Sequence, residues 1–450
     1  MKSIEDKIKL IKSQDPVGQF PIYYKGETRN LNFYELDLDL LRFNYVNGRI
    51  GSEVMEHKQI HGRDLKDMDY KEANEIVFDW IWKKDLSSNK KSLTDIRQKG
   101  QIKPGVITRD GIIVDGNRRF MLLCKLKETY SSNKKFKAII LDDTYEDGGD
   151  KELDIKLLET TLQLGEDEKV SYRPIEKYLT IIKFRENYNG QVSDKKIASL
   201  MNLKSVKDVQ KNYEIGKLML DYLDYIGAPN ITSRLENTED LFINFQKKID
   251  LYKRQKGGAN WELTKDDEFD YKINGFKLIR WNYNIKNDKD YNSQFFREFY
   301  FSTSREKSVI THKKLWDDFN DSMNKLDEST YEVVDVAKEK NISVSEAAKF
   351  IDETWANNSL PALKEAVGRA KSKIRDRKNE RDPEKFILQA LDKIDNLIHE
   401  DKFHADGTIE IKKTIFDNLV NENHYERNIN NLHKIRKISE TLIKEIKKNK

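Results

Sequence analysis

The stretch from Gly105 to Tyr130, GVITRDGIIVDGNRRFMLLCKLKETY, constrains the fold more than any other part of the sequence. Two short apolar runs flank Arg109-Asp110-Gly111, a turn composition, and predict a β-hairpin. The second run enters Asp115-Gly116, after which FMLLCKLKETY has the apolar density of a buried helix. A hairpin that feeds directly into a buried helix needs further strands to complete its sheet. LNFYELDLDLLRFN, with its partial alternation, and KFKAIILDD supply two candidates. The fold class predicted is therefore α+β.

The rest of the chain leans towards helix. Only 7 prolines and 20 glycines occur in 450 residues, which favours long helices over a many-turned β architecture. Hydrophobic residues are 37% and charged residues 36%, so the surface is very polar, while 20 Tyr, 20 Phe and 6 Trp furnish the cores. The length predicts roughly two to four domains. We divide the chain into an N-terminal arm (1–30) with a short amphipathic helix and a connection containing Pro16 and Pro21, and a mixed domain (31–165). A helical domain (166–231), an aromatic-rich helical region (232–329) and a C-terminal helical bundle (330–450) follow. In the mixed domain KSLTDIRQKG reads as a helix closed by Gly100. In the bundle Ile387, Leu391, Ile394 and Ile398 repeat at 4-3-4 spacing, and Ile435, Ile438, Leu442 and Ile446 nearly so.

The junction Asp115-Gly116-Asn117-Arg118-Arg119 carries chemistry. A helix that starts straight after a strand exposes backbone N–H groups at its first turn, and its dipole favours an anion. Gly116 lacks the Cβ that would keep a phosphate away. The two arginines offer planar donor forks suited to phosphate oxygens. The competing reading is a turn residue at Asp115 and arginines paired with nearby carboxylates.

The order of elements around this junction is more specific than the five residues alone. It resembles the N-terminal half of the ParB family, a ParB/sulfiredoxin-like domain followed by a helix-turn-helix, over roughly residues 31 to 225. The resemblance implies that Gly116, Asn117, Arg118 and Arg119 hold the triphosphate of a nucleotide, CTP or another NTP with Mg²⁺. The family's Gly-x-x-x-Pro box matches Gly100 to Pro104 and brings in Lys103; its early Arg box matches Arg49. Its Glu-Asn-x-x-Arg box falls on LLETTLQLGEDEK, where Glu159 is the implied metal ligand, Thr160 replaces the Asn and no Arg follows in register. Asn117 also stands where the family's partition proteins have Glu and the sulfiredoxins their Cys. The single cysteine, Cys124, lies in an apolar helical run and reads as an inert core thiol.

SDKKIASLMNLKSVKDVQKNYEI then predicts two helices around a short break, with Ile197, Ala198, Met201, Leu203, Val206 and Val209 facing inward and Ser205 as N-cap. The second helix presents Lys204, Ser205, Lys207, Gln210 and Lys211, donors suited to phosphates and base edges, with Asp208 opposing them. A plain helix pair with a solvated lysine face is the alternative. His57 and His61 stand four apart without a third ligand and read as a surface pair. The aromatics Trp261, Trp281, Phe295, Phe296, Tyr300 and Phe301 read as core. KIRKISETLIKEIKKNK is a basic amphipathic tail, better suited to closing a dimer than to touching DNA.

The net charge of +4 is small for the length, so nucleic-acid affinity has to come from local patches. One cysteine suits a reducing compartment, the first 16 residues lack a signal peptide's apolar block, and no run of about 18 apolar residues exists. A cytoplasmic protein without a membrane partner is expected. The function expected is a ParB-like, nucleotide-dependent DNA clamp or regulator, a homodimer on double-stranded DNA, with the C-terminal helices free for dimerisation or a protein partner. Two alternatives stand beside it: an NTPase or nuclease component of an anti-phage or restriction system, related to proteins with DGQQR motifs, and a scaffold whose sites are dead. A weak NTPase activity stays open, nuclease activity less so.

Overall fold

The computed structural model describes residues 3–45, 50–131, 134–165, 174–188, 190–253, 261–284, 293–301, 307–326, 331–381, 383–395, 398–403, 409–411 and 425–449. The chain forms two compact units, Met1–Gly368 and Arg369–Lys450.

The first unit is built on a five-stranded sheet. Its strands are β1 (Gly18–Tyr24), β2 (Glu27–Leu36), β3 (Gly105–Ile107), β4 (Ile113–Asp115) and β5 (Phe136–Ile140), in the order β1-β2-β5-β3-β4. Only β3 and β5 run parallel; the other neighbours are antiparallel. The expected hairpin is β3–β4, and the expected strands in LNFYEL and KFKAII are β2 and β5. The segment expected as a connection is instead β1. Pro21 sits opposite Asn30 on this outermost strand, where a missing N–H removes no inner ladder bond.

Both faces of the sheet are covered, as the period-two alternation of its strands requires. On one face Tyr34, Leu36, Ile107, Ile113, Phe136, Ala138 and Ile140 pack with α1 (Ile4–Lys12), α3 (Tyr70–Lys84), α4 (Leu86–Lys99) and α5 (Asn117–Tyr130). On the other, Ile22, Val106, Val114 and Ile139 meet Ile155 and Leu158 of α6 (Gly149–Gly165). The short helix α2 (Gly51–His61) precedes α3.

Alpha-helices α7 (Pro174–Glu186), α8 (Asp194–Leu200) and α9 (Val206–Tyr225) follow, and their core takes Leu153 and Leu157 from α6. Ile175, Leu179, Ile182 and Phe184 are buried along α7, as their spacing predicts. Beyond them come α10 (Glu239–Lys253), α11 (Lys265–Asn284), α12 (Ser293–Phe299), α13 (Lys313–Met323), α14 (Val333–Lys340) and α15 (Val344–Arg381). The aromatic-rich region is core here: Trp281, Phe296, Tyr300 and Phe301 are buried, and Tyr271 stacks on Tyr300 at 4.6 Å between ring centroids. Trp261 is half-buried and donates to the Ile310 carbonyl, while the side chain of Phe295 lies outside the described residues.

The second unit contains α16 (Pro383–Asp395), the antiparallel pair β6 (Ile398–Phe403) and β7 (Ile409–Ile411), and α17 (Tyr425–Lys448). Ile398, expected on a helical seam, opens a strand. Ile435, Ile438, Leu442 and Ile446 lie on one stripe of α17 and are all exposed. Among the described residues no helix is long and apolar enough to cross a membrane.

One glycine fixes how the hairpin meets the rest of the sheet domain. Gly111 has φ +86°, and a Cβ there would lie 2.3 Å from the carbonyl oxygen of Leu40. Its own carbonyl accepts from the Arg42 N–H at 2.8 Å. Gly111→Ala is therefore expected to lower the unfolding free energy by about 2 kcal/mol or more. Urea denaturation followed by circular dichroism checks this, and a wild-type midpoint would contradict it.

Candidate functional site

Gly116 adopts φ +102° and opens α5, so the strand-to-helix junction expected from the sequence is present. The residues of the junction diverge from it in three directions. Arg118 Nε donates to Asn89 Oδ1 at 2.8 Å, and its Nη2 reaches Ser88 Oγ at 2.7 Å and Ser92 Oγ at 3.2 Å, all on α4. Asn89 is itself buried and donates to the carbonyls of Ile81 and Trp82, so Arg118 completes a clamp between α3, α4 and α5. Arg119 Nη1 donates to the carbonyls of Lys103 and Pro104 at 2.6 and 3.1 Å, and Nη2 to Asp115 Oδ2 at 2.6 Å. Burial pushes Lys103 below the ordinary lysine range, with the charge of Arg119 acting in the same direction. Arg49 lies outside the described residues.

Asn117 points a third way, into a polar chain. It donates to the Ile113 carbonyl at 3.1 Å and accepts from the Asn44 N–H at 3.3 Å. Asn44 Nδ2 donates to the hydroxyl of Tyr145 at 2.9 Å, which donates to Glu159 Oε2 at 3.2 Å. Glu159 is 1% exposed and also accepts from Lys156 Nζ at 2.8 Å and Gln163 Nε2 at 3.0 Å. Burial, with Glu159 alongside, pushes the Tyr145 hydroxyl well above its ordinary pKa.

The cluster continues onto α7 and α2. Glu176 is buried; its Oε1 accepts from the Ser52 N–H at 3.2 Å and from the Ser52 hydroxyl, and burial pushes its carboxyl up. Lys183 is pushed down by burial and by the nearby charge of Lys156. Two lysines and two glutamates thus share one largely desolvated region between the sheet domain and the helical domain.

The implied metal does not fit Glu159 as it stands. Its described partners are an ammonium, an amide N–H and a hydroxyl, all donors to the carboxylate, whereas Mg²⁺ needs oxygen ligands turned towards it. Among the described residues no three His, Cys, Asp or Glu side chains converge as a metal site. The rings of His57 and His61 lie 4.4 Å apart. Cys124 packs against the sheet-domain core, and burial pushes its thiol up to about 12, which leaves it unreactive near neutrality.

The helix pair is α8, a turn, and α9. Ser193 caps the first helix and Ser205 the second, where Ser205 Oγ accepts from the Asp208 N–H at 3.3 Å. Ile197, Ala198, Met201 and Val209 are buried, and Leu203 packs against them. Val206, expected inward, is 46% exposed: it is the first residue of α9, just after the Ser205 cap. Lys204, Ser205, Lys207 and Gln210 are exposed and Lys211 half-buried, so the five residues gather at the start of one helix.

Sequence reasoning missed Asn44, Tyr145, Lys156, Glu176 and Lys183. One signal was available. Lys156, Glu159, Thr160 and Gln163 recur at i, i+3, i+4 and i+7, the spacing of a core face, and all four are buried. The chain matches no protein-family model, no curated protein and no solved structure.

The clamp formed by Arg118 has a measurable consequence. Arg118→Ala leaves the buried Asn89 carbonyl oxygen without this charged donor, and the expected loss of stability is about 2–3 kcal/mol. Chemical denaturation reads this directly; an unchanged midpoint would show that the guanidinium contributes nothing to the fold.

Proposed function

We propose that this chain is a ParB-like DNA-binding protein in which the start of α9 contacts duplex DNA. In the same proposal the polar region between α2, α6, α7 and the Gly116–Arg119 turn takes the phosphates of a nucleotide, CTP or another NTP. The observation that carries the DNA reading is the arrangement at α8–α9. Ser205 caps a helix that exposes Lys207 and Gln210 in its first turns, with the exposed Lys204 just before the cap, while the opposite face packs through Val209 on α8 and α6. Exposed cations and amides at one helix start suit phosphate contacts first and base edges second.

The nucleotide reading is supported by the buried Lys156 and by the polar chain that connects it to Asn117. Alpha-helix α6 supports a link between the two activities, since Ile155 and Leu158 face the sheet and Leu153 and Leu157 face the helix pair. The exposed apolar stripe of α17 supports a second copy of the chain as a partner. The inward hydrogen bonds of Arg118 and Arg119 favour a second reading, in which the turn serves the fold and DNA binding is the sole activity.

Fluorescence anisotropy with a labelled duplex tests the DNA reading. The double variant Lys204→Glu, Lys207→Glu is expected to bind at least about tenfold more weakly, and the slope of log affinity against log salt is expected to fall by about 2. Equal affinity of variant and wild type, or wild-type binding with no salt dependence, would contradict the proposal.

A further inference from the structure

We infer that the segment Arg369–Lys378 of α15 is a second DNA contact, a helix that holds the phosphates on both walls of a duplex groove. The segment belongs to the second unit, and the inference stands or falls separately from the contacts proposed for α9.

Its charge sets the segment apart within its own chain. The ten residues RAKSKIRDRK hold six lysines and arginines against one aspartate, a net charge of +5 where the whole chain carries +4. Arg369, Lys371, Lys373, Arg375 and Lys378 are exposed and Arg377 is half-buried. At several other places the chain sets an exposed cation four residues from an acid: Lys83 with Asp79, Lys99 with Asp95, Lys349 with Glu353 and Arg436 with Glu440. Here the residues four apart are alike, in Arg369 and Lys373, Lys373 and Arg377, and Lys371 and Arg375. Such pairs repel along a helix instead of supporting it. The aspartate of the segment, Asp376, lies 3.7 Å from Arg375.

The arrangement of the charges selects the partner. At about 100° per residue, Arg369, Lys373 and Arg377 form one stripe, and Lys371, Arg375 and Lys378 form another about 170° away around the helix. A flat anionic surface meets only one such stripe at a time. A lipid surface also needs large apolar residues along one side, and the segment has Ile374 alone. Single strands are held by stacking their bases on aromatic rings, and the segment has none. The major groove of duplex DNA, by contrast, has phosphates on either side and, at about 12 Å across, admits one α-helix. Ten helical residues span about 15 Å, enough to cross it. The deep, narrow major groove of an RNA duplex is closed to side chains.

The test is fluorescence anisotropy on the full chain across a salt series, with a labelled mixed-sequence DNA duplex. The same sequence as a single strand and as an RNA duplex, and vesicles containing phosphatidylserine, serve as further probes. The alanine variant Lys371→Ala, Lys373→Ala, Arg375→Ala, Lys378→Ala removes four exposed cations and leaves good helix formers, so it is expected to melt at or above the wild-type temperature. It is expected to bind the DNA duplex at least about tenfold more weakly, with the slope of log affinity against log salt reduced by about 3. A companion variant, Lys371→Arg, Lys373→Arg, Lys378→Arg, is expected to keep the wild-type slope. An alanine variant with the wild-type slope would overturn the inference whatever its stability, because loss of folded protein lowers apparent affinity without altering the slope. A loss confined to the RNA duplex, the single strand or the vesicles would overturn it in favour of that partner. The variant Lys204→Glu, Lys207→Glu, measured in parallel, separates the two surfaces: a change there alone overturns the role of α15, and a change in the alanine variant alone supports it and removes α9. Wild type that binds no DNA duplex would overturn both.

Discussion

The carboxylate of Glu159 is the interaction on which the arrangement of the first unit depends. A glutamate 1% exposed has to be compensated, because an isolated ionised carboxylate in a protein interior is prohibitively unfavourable. Here Tyr145, Lys156 and Gln163 all donate to it. Lys156 and Gln163 stand on α6 itself, so it is Tyr145 that ties the helix to the loop before it, and α6 joins the rest. One of its faces closes the sheet through Ile155 and Leu158, and another enters the core of the helix pair through Leu153 and Leu157. Through Tyr145 and Asn44 the same carboxylate reaches Asn117 at the first turn of α5. Sheet, turn and helix pair are therefore joined through one buried carboxyl group and the helix that carries it.

The pair Arg118-Arg119 shows how an anion-site composition can be occupied by the fold. Adjacent residues on a helix point about 100° apart, so two neighbouring guanidiniums cannot share one partner without bending back. In this chain they do not try. Arg118 fastens α4 to α5, and Arg119 fastens the loop before β3 to Asp115.

Much of the sheet domain was legible in the sequence, for local reasons. Arg109-Asp110-Gly111 between apolar runs, Gly100 after a helical period and Ser205 before another are signals whose physics acts within a few residues. The failures have equally specific causes. Pro21 argued against a strand, but an outermost strand tolerates a missing N–H. Val206 sits at the first position of α9, where the helical period has not yet turned it inward. Ile398 continued a seven-residue spacing by coincidence across the end of α16. The buried polar cluster was the hardest to see. In a chain with 82 lysines and arginines, nothing in Lys156 alone separates a buried amine from a solvated one; only the recurrence of polar residues at core spacing along α6 carries that information.

The central claim is that two separate surfaces of the first unit bind phosphate, one on duplex DNA and one on a nucleotide. Hydrogen–deuterium exchange on the full chain, alone, with a duplex and with each NTP plus Mg²⁺, addresses both in one measurement. The account predicts slowed exchange over Lys204–Lys211 with duplex, and over Asp115–Phe120 and the first turn of α2 with one of the nucleotides. Exchange that is the same in all of these segments under every condition would contradict it.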